Sequence, residues 1–242
     1  MVFNIRAIQL KRMNYSDSLN YLKNLKSNND DIIVLPEKFI TETINEARLY
    51  KIIDNLNIDN TIILGSLSYM DRYLYNRSFL INNKKILGFQ DKINLYNVEK
   101  NRYKNGDTIK IFNVNNIRIG ILICYDLDFP LYARTLFSNK CDVIINPSLI
   151  NREFHNEWHL YVELRSLENR IPVISVNSIS DNFKGDSIIS IPYKYENGVK
   201  LKNYTEEYKD IYVPINGDDY KEQRNIRLNE EIQINKIIFQ EL

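Results

Sequence analysis

The chain has 242 residues, 44% of them hydrophobic, with 32 Lys and Arg against 31 Asp and Glu. That balance gives no electrostatic case for a nucleic-acid or membrane-surface partner, and seven glycines are too few for the phosphate-cradling loops of dinucleotide or P-loop enzymes. Two cysteines, Cys124 and Cys141, make no disulfide framework; with no apolar run near the roughly 20 residues that cross a membrane and no leader-like N-terminus, a soluble cytoplasmic protein is expected.

In chain order, residues 2–10 predict a first strand. Ser16 is read as the cap of a helix reaching about residue 25. Residues 31–35 form a short buried strand that stops at Pro36-Glu37-Lys38-Phe39. A helix over 43–56 and a strand over 61–67 follow, the opening of an α/β domain. Residues 73–80 and 85–90 predict an antiparallel hairpin turning at Asn82-Asn83. A polar loop then runs past Lys92 and Glu99 to Gly106-Asp107. Residues 108–114 and 117–123 pair around Asn115-Asn116, and a helix over 130–139 leads to a strand over 142–146. A long helix over 153–169 and strands over 173–177 and 185–191 come next. The charged remainder from residue 193 holds a hairpin at Asn197-Gly198 and a strand near 211–215. No linker, repeat or coiled coil interrupts the pattern, so one domain over 1–242 is expected, with 216–242 read as a C-terminal arm.

The stretch 117–130, Ile-Arg-Ile-Gly-Ile-Leu-Ile-Cys-Tyr-Asp-Leu-Asp-Phe-Pro, organises the rest. It reads as a strand buried on both faces, then a helix with Pro130 in its first turn. Cys124 at that turn sits where backbone N–H groups and the helix dipole favour a thiolate; the alternative is a small buried residue at a strand end, and this stretch alone leaves both open. Glu37 also directly follows an apolar strand, and Lys92 follows the hairpin strand by two residues. Residues outside the carboxyl ends of strands gather where sites form. There a carboxylate can take a thiol proton, the thiolate can attack a polarised carbon, and an ammonium can hold the developing oxyanion.

Taken singly, Glu37 reads as a solvated acid beside Lys38, Lys92 as a surface charge beside Asp91, and Glu99 as a loop acid pairing Lys100. Cys141 is expected in the core. Asp126 and Asp128 would oppose ionisation of a nearby thiol, so they are assigned helix-start or substrate-amine roles. His155, His159 and Glu163 lie four apart on one helix face but span about 12 Å of rise, too far for one ion, so no metal site is expected. No Gly-x-Ser-x-Gly elbow exists for Ser-His-Asp catalysis.

Order and spacing together resemble the carbon-nitrogen hydrolase family, or nitrilase superfamily, over about residues 2–215. Leu35-Pro36-Glu37 is similar to the motif of its general base, Lys92-Ile93-Asn94-Leu95-Tyr96 to its lysine motif, and Cys124-Tyr125-Asp126 with Phe129-Pro130 to its nucleophile motif. Glu99 falls where many members carry a second glutamate that orients the lysine and joins in proton transfer. Asn146-Pro147-Ser148, Arg165 with Glu168-Asn169, and Gly185-Asp186-Ser187 match later segments. Asn94, Asn105 and Leu131 depart from the usual histidine, proline and glutamate.

The resemblance implies a four-layer α-β-β-α sandwich of two packed mixed sheets with outer helices, which the two hairpins also favour over a doubly wound core. It implies Glu37, Lys92 and Cys124 as catalytic residues with Glu99 beside them, the Tyr125 backbone N–H at the oxyanion, and no metal or organic cofactor. Phe39, Asp128 and Ser148 are expected to contact a small amide substrate. Tyr125, where nitrilases usually carry tryptophan, points to amides over nitriles. A nitrile hydrolase, an acyltransferase on the same triad and a catalytically inactive interaction protein are the alternatives. A homodimer or larger homo-oligomer through the helix after the cysteine and the 153–169 helix is expected.

Overall fold

The computed structural model describes residues 2–27, 31–180 and 182–231. The first half contains β1 (Val2–Ala7), α1 (Tyr15–Lys23), β2 (Ile32–Val34), α2 (Glu46–Asn55), β3 (Thr61–Ile63), β4 (Leu67–Met70), β5 (Leu74–Asn82) and β6 (Lys85–Asp91). The second contains β7 (Ile111–Val114), β8 (Ile117–Ile121), α3 (Pro130–Ser138), β9 (Val143–Ser148), α4 (His155–Asn169), β10 (Val173–Asn177), β11 (Ser187–Tyr195), β12 (Gly198–Glu206), β13 (Ile211–Asn216) and α5 (Lys221–Glu230). Among the described residues the strands make a seven-stranded sheet, ordered β13-β1-β2-β3-β5-β4 with β6 on β5, and a six-stranded sheet, ordered β12-β11-β10-β9-β8-β7. Both are mixed, with parallel pairs at their centres and antiparallel pairs outside.

Strand alternation explains the layers. In β2, Ile32 and Val34 point into the core shared with the second sheet, while Ile33 points into the core under α1 and α2. β1 aims Phe3, Ile5 and Ala7 at the second sheet, and β5 aims Leu80 there but Phe79 and Ile81 at the helices. Both faces of β2 being covered is why it reads as a continuous apolar run, whereas β1 alternates, with Val2 and Asn4 exposed. On the outer face of the second sheet, Leu136 and Phe137 of α3 and Trp158 and Val162 of α4 join the same core. The expected α-β-β-α sandwich is therefore what the chain forms.

Local chemistry moves several boundaries. Asn14, not Ser16, caps α1 by accepting the Asp17 N–H at 2.8 Å. The expected 61–67 strand is broken at Gly65, whose φ of +50° brings the chain so close to Pro36 that an added Cβ would lie 2.0 Å from the Pro36 carbonyl oxygen. The first hairpin turns at Asn83-Lys84, one residue later than expected, with both residues in the left-handed region that a type I′ turn needs. β9 runs on through Pro147. Its side of the ladder faces β8, which has already ended at Ile121, so the missing N–H is not called on.

The helix α5 has no counterpart in the sequence reading. Arg224 is its buried residue, and the helix docks through charge. Arg224 and Lys221 reach the Asp142 carboxylate at 3.1 and 3.0 Å, and Tyr220 Oη donates to the Asp142 carbonyl at 2.9 Å. The described part of the expected arm thus folds against its own second sheet; residues 232–242 lie outside the described residues.

Candidate active site

Glu37 follows β2 and is held at the seam between the sheets. Its N–H donates to the Ser148 carbonyl at the end of β9 (3.3 Å), and its carbonyl accepts from Ser178 Oγ beyond β10 (3.2 Å). Cys124 follows β8 with φ of +46°, a left-handed turn costing roughly 1–2 kcal/mol for a non-glycine residue and of the kind retained where function demands it. Asn146 fixes that turn from β9, donating to the carbonyls of Leu122 (2.7 Å) and Cys124 (3.3 Å). Lys92 follows β6, and its N–H donates to the Asn76 carbonyl at 2.8 Å.

These three supports bring the side chains together. Lys92 Nζ lies 2.9 Å from Glu37 Oε1 and 2.9 Å from Glu99 Oε2. The Cys124 thiol lies close enough to Glu37, Lys92 and the Leu149 N–H for all three to act on its ionisation. Lys92 is 2% exposed, so the reading of it as a surface charge is overturned; Glu99 pairs Lys92 and Lys38, not Lys100. Cys141 is fully buried, as expected.

Electrostatics refine the sequence reading. Burial first, and the negative charge of Glu37 second, push the Cys124 thiol well above its usual range, although Lys92 and the Leu149 N–H pull it down. Burial and the Glu37 carboxylate thus both disfavour a thiolate at this turn, against the expectation that the turn stabilises one. Burial disfavours the Lys92 ammonium, but Glu37, Cys124 and Glu99 outweigh it and hold the group well above the ordinary lysine range. For Glu99, burial is overcome by Lys92 and Lys38, which pull its carboxyl down to about 2.

Asp126 is a brace. It is fully buried, and its carboxylate accepts from the N–H groups of Ile93 (3.1 Å), Asn94 (2.7 Å) and Ile123 (3.2 Å). It thereby ties the segment after Lys92 to the segment before Cys124. Burial outweighs these donors and pushes its carboxyl up to about 7. Two departures from the family pattern serve the same segment: Asn105 Nδ2 donates to the Ile93 carbonyl (2.6 Å), and Asn94 Nδ2 to Tyr132 Oη (2.8 Å). Arg165 from α4 donates to the carbonyls of Leu127 and Asp128, securing the turn from the other side.

Asn76 was not singled out by sequence. Buried in β5, its Nδ2 bridges Glu37 Oε1 (2.7 Å) and Glu99 Oε1 (3.1 Å). The available signal was an Asn-Arg pair inside a strand otherwise flanked by apolar residues. Of the residues expected to contact substrate, Phe39 instead packs in the helix-side core with Leu35 and Ile44. Ser148 is fully buried, its hydroxyl bonded to Asn146. Asp128 is half-buried near the elbow, with burial raising its carboxyl above the ordinary range. A string of aromatic rings, Tyr96, Tyr125, Phe129 and Tyr132, runs beside the elbow with successive centroids 5.0, 5.1 and 5.7 Å apart. His155 and His159 both approach Asp186, at 3.2 and 3.7 Å.

A family model described as carbon-nitrogen hydrolase matches residues 11–193. The nitrilase of Pyrococcus abyssi is 26% identical over 200 residues, covering 74% of this chain and 75% of that protein. Omega-amidase YafV of Escherichia coli is 27% identical over 179 residues, covering 67% and 69%. The structure of XC1258 from Xanthomonas campestris, a CN-hydrolase superfamily protein, matches with a TM-score of 0.77 over 98% of this chain and 100% of that one; at 19% identity the likeness is one of fold.

Proposed function

This chain belongs to the carbon-nitrogen hydrolase family, and from that premise we propose that it hydrolyses a small non-peptide amide through a thioester on Cys124. The observation that carries the reading is the convergence of Cys124, Glu37 and Lys92 from the ends of three strands, with Glu37 ion-paired to Lys92 and both close enough to act on the Cys124 thiol.

Glu37 takes the thiol proton as the sulfur attacks the amide carbonyl carbon. Its Oε1 already receives Lys92 and Asn76, which leaves Oε2 for that proton. The carbonyl oxygen becomes an oxyanion held by the Lys92 ammonium and the Tyr125 N–H. Collapse breaks the C–N bond, and Glu37 returns the proton to the departing amine. Water, deprotonated by the same carboxylate, then attacks the thioester and regenerates the thiol. The buried thiol suits this order: general-base removal of the proton during attack avoids a stable thiolate in a poorly solvated site.

The amide preference is supported by the omega-amidase among the relatives and by Tyr125. Residues 1–242 are read as one hydrolase domain acting in the cytoplasm; no helix among the described residues is long and apolar enough to cross a membrane. The outer face of α3 and α4 exposes Leu131, Leu160 and Leu164 at 50–68%, and we assign it to a second copy of the chain.

The test is ammonia release from a panel of short amides and nitriles, with Cys124→Ala as control. Release from amides that vanishes in the variant is expected. Release only from nitriles would favour the nitrile reading, transfer to added hydroxylamine in place of water the acyltransferase reading, and no turnover of any substrate the inactive one.

A further inference from the structure

Lys38 directly follows Glu37, yet its side chain turns away to the second glutamate of the site. We propose that Lys38 is a positioning residue of the reaction: its ammonium holds Glu99 as a fixed anion, so that Glu99 steers Lys92 and leaves proton transfer to Glu37 alone. The proposal rests on the reading of Glu37, Lys92 and Cys124 as the reacting groups.

The backbone is committed to this arrangement. Lys38 has φ of +48°, a conformation that disfavours any side chain. It is pinned there by its N–H to the Ser66 carbonyl (2.7 Å) and by Arg12 Nε on its own carbonyl (3.1 Å). The side chain crosses the Tyr103 ring, with Nζ 4.5 Å from the centroid. Arg102 approaches the same ring at 5.6 Å, and Tyr103 Oη lies 2.6 Å from Ser68 Oγ. The ammonium ends on Glu99 Oε1.

Counting the contacts on Glu99 shows what that ion pair does. A carboxylate offers roughly four lone-pair positions. On Glu99, Oε1 receives Lys38 and Asn76 Nδ2 (3.1 Å), and Oε2 receives Lys92 Nζ (2.9 Å) and the Tyr96 N–H (3.0 Å). Three hydrogen bonds and the Lys92 ion pair occupy the carboxylate, so Glu99 takes a proton or orients a water only by giving up one of these contacts. Glu37 differs: its lysine and amide donors both sit on one oxygen. The charges also balance, two carboxylates against two ammoniums. Without Lys38 a single ammonium would serve both acids, Glu99 would compete for protons, and its uncompensated charge would oppose ionisation of the thiol.

The experiment uses the full chain. Lys38→Met keeps side-chain length and the ring contact but removes the charge; Lys38→Arg restores it. Glu99 is followed by carboxyl carbon NMR of protein labelled in glutamate, assigned through Glu99→Gln, and Cys124 by its rate of alkylation with iodoacetamide, resolved by peptide mapping. In Lys38→Met, titration of Glu99 is expected to move up from about 2 toward the ordinary carboxylate range, and alkylation at neutral pH to slow by about tenfold. Lys38→Arg is expected to restore both. In a Glu99→Gln background, Lys38→Met is expected to change alkylation by less than about twofold, the mark of an effect routed through Glu99. An unchanged Glu99 titration in Lys38→Met, or an equal loss in both backgrounds, overturns the role of Lys38 alone. Amide turnover by Glu37→Gln within a few-fold of wild type overturns the triad reading and this proposal with it.

Discussion

Glu37 and Glu99 stand at the same 2.9 Å from one ammonium, yet their other contacts give them different chemistry. Glu37 lies beside the thiol and acts on its ionisation, whereas Glu99 is surrounded by donors. Glu37→Gln keeps the shape and removes the proposed base, so kcat on any amide the chain turns over is expected to fall by about 10²- to 10⁴-fold; a steady-state rate within a few-fold of wild type would remove Glu37 from the proton path. At this scale the sequence was informative about identity and silent about partners. Glu37 and Cys124 were legible because each directly follows an apolar strand, and Lys92 only through its place just past the hairpin strand and the family resemblance. Asn76 was not, since a polar residue within a strand carries no mark of which carboxylates it will meet. Lys38 was hidden as well: adjacency to Glu37 suggested a surface pair, and only a left-handed backbone turn sends its side chain elsewhere.

At the scale of elements, the site depends on holding the segments after β6 and β8 in register, and Asp126 performs that task with one carboxylate. Replacing it by asparagine puts an amide N–H₂ where backbone N–H groups now donate, leaving buried donors unmatched at about 1–3 kcal/mol. Asp126→Asn is accordingly expected to lower the unfolding free energy, read from urea titration, by that amount and kcat by at least about tenfold; a variant that unfolds earlier but keeps full kcat would make Asp126 a stability residue with no part in aligning Lys92. The expected helix-start role is met locally, where Asp126 accepts the Ile123 N–H at the start of the 124–128 turn; its bonds to Ile93 and Asn94, more than thirty positions earlier, are the ones local pattern does not reveal. The strands, by contrast, were largely legible, because β2 and the start of β9 are apolar on both faces and β8 lines the core with Ile117, Ile119 and Ile121. Their ends shifted where Gly65 and the asparagine turns imposed left-handed backbone.

Across the whole molecule, charge does what hydrophobic pattern cannot, and α5 is the example. Asp142 binds Lys221 and Arg224 of that helix. Burial would raise its carboxyl, but the Arg118 N–H and the two cations outweigh it and hold it below the usual range. A carboxyl lowered by folding contributes stability that is complete above its unfolded value of about 3.9 and lost as pH falls through the folded value below that. Asp142→Asn is expected to destabilise the chain by about 2 kcal/mol at neutral pH, less than for a sealed pair because Lys221 is partly exposed, and to shrink in effect as the pH drops below about 4. An equal loss at both pH values, read from urea unfolding, would assign the effect to packing. The exposed α3 and α4 face makes a separate claim: wild type is expected to sediment as a dimer or larger, and Leu160→Glu with Leu164→Glu as the 28.8 kDa chain; a monomeric wild type would contradict it. The account as a whole turns on the sulfur of Cys124 carrying the acyl group. Mass spectrometry of wild-type enzyme, acid-quenched during turnover of an amide and mapped by peptide, tests this most directly. An acyl mass on the Cys124 peptide, absent from Cys124→Ala, is the result the account requires. Continued ammonia release by Cys124→Ala, with no adduct on Cys124 in wild type, would contradict it.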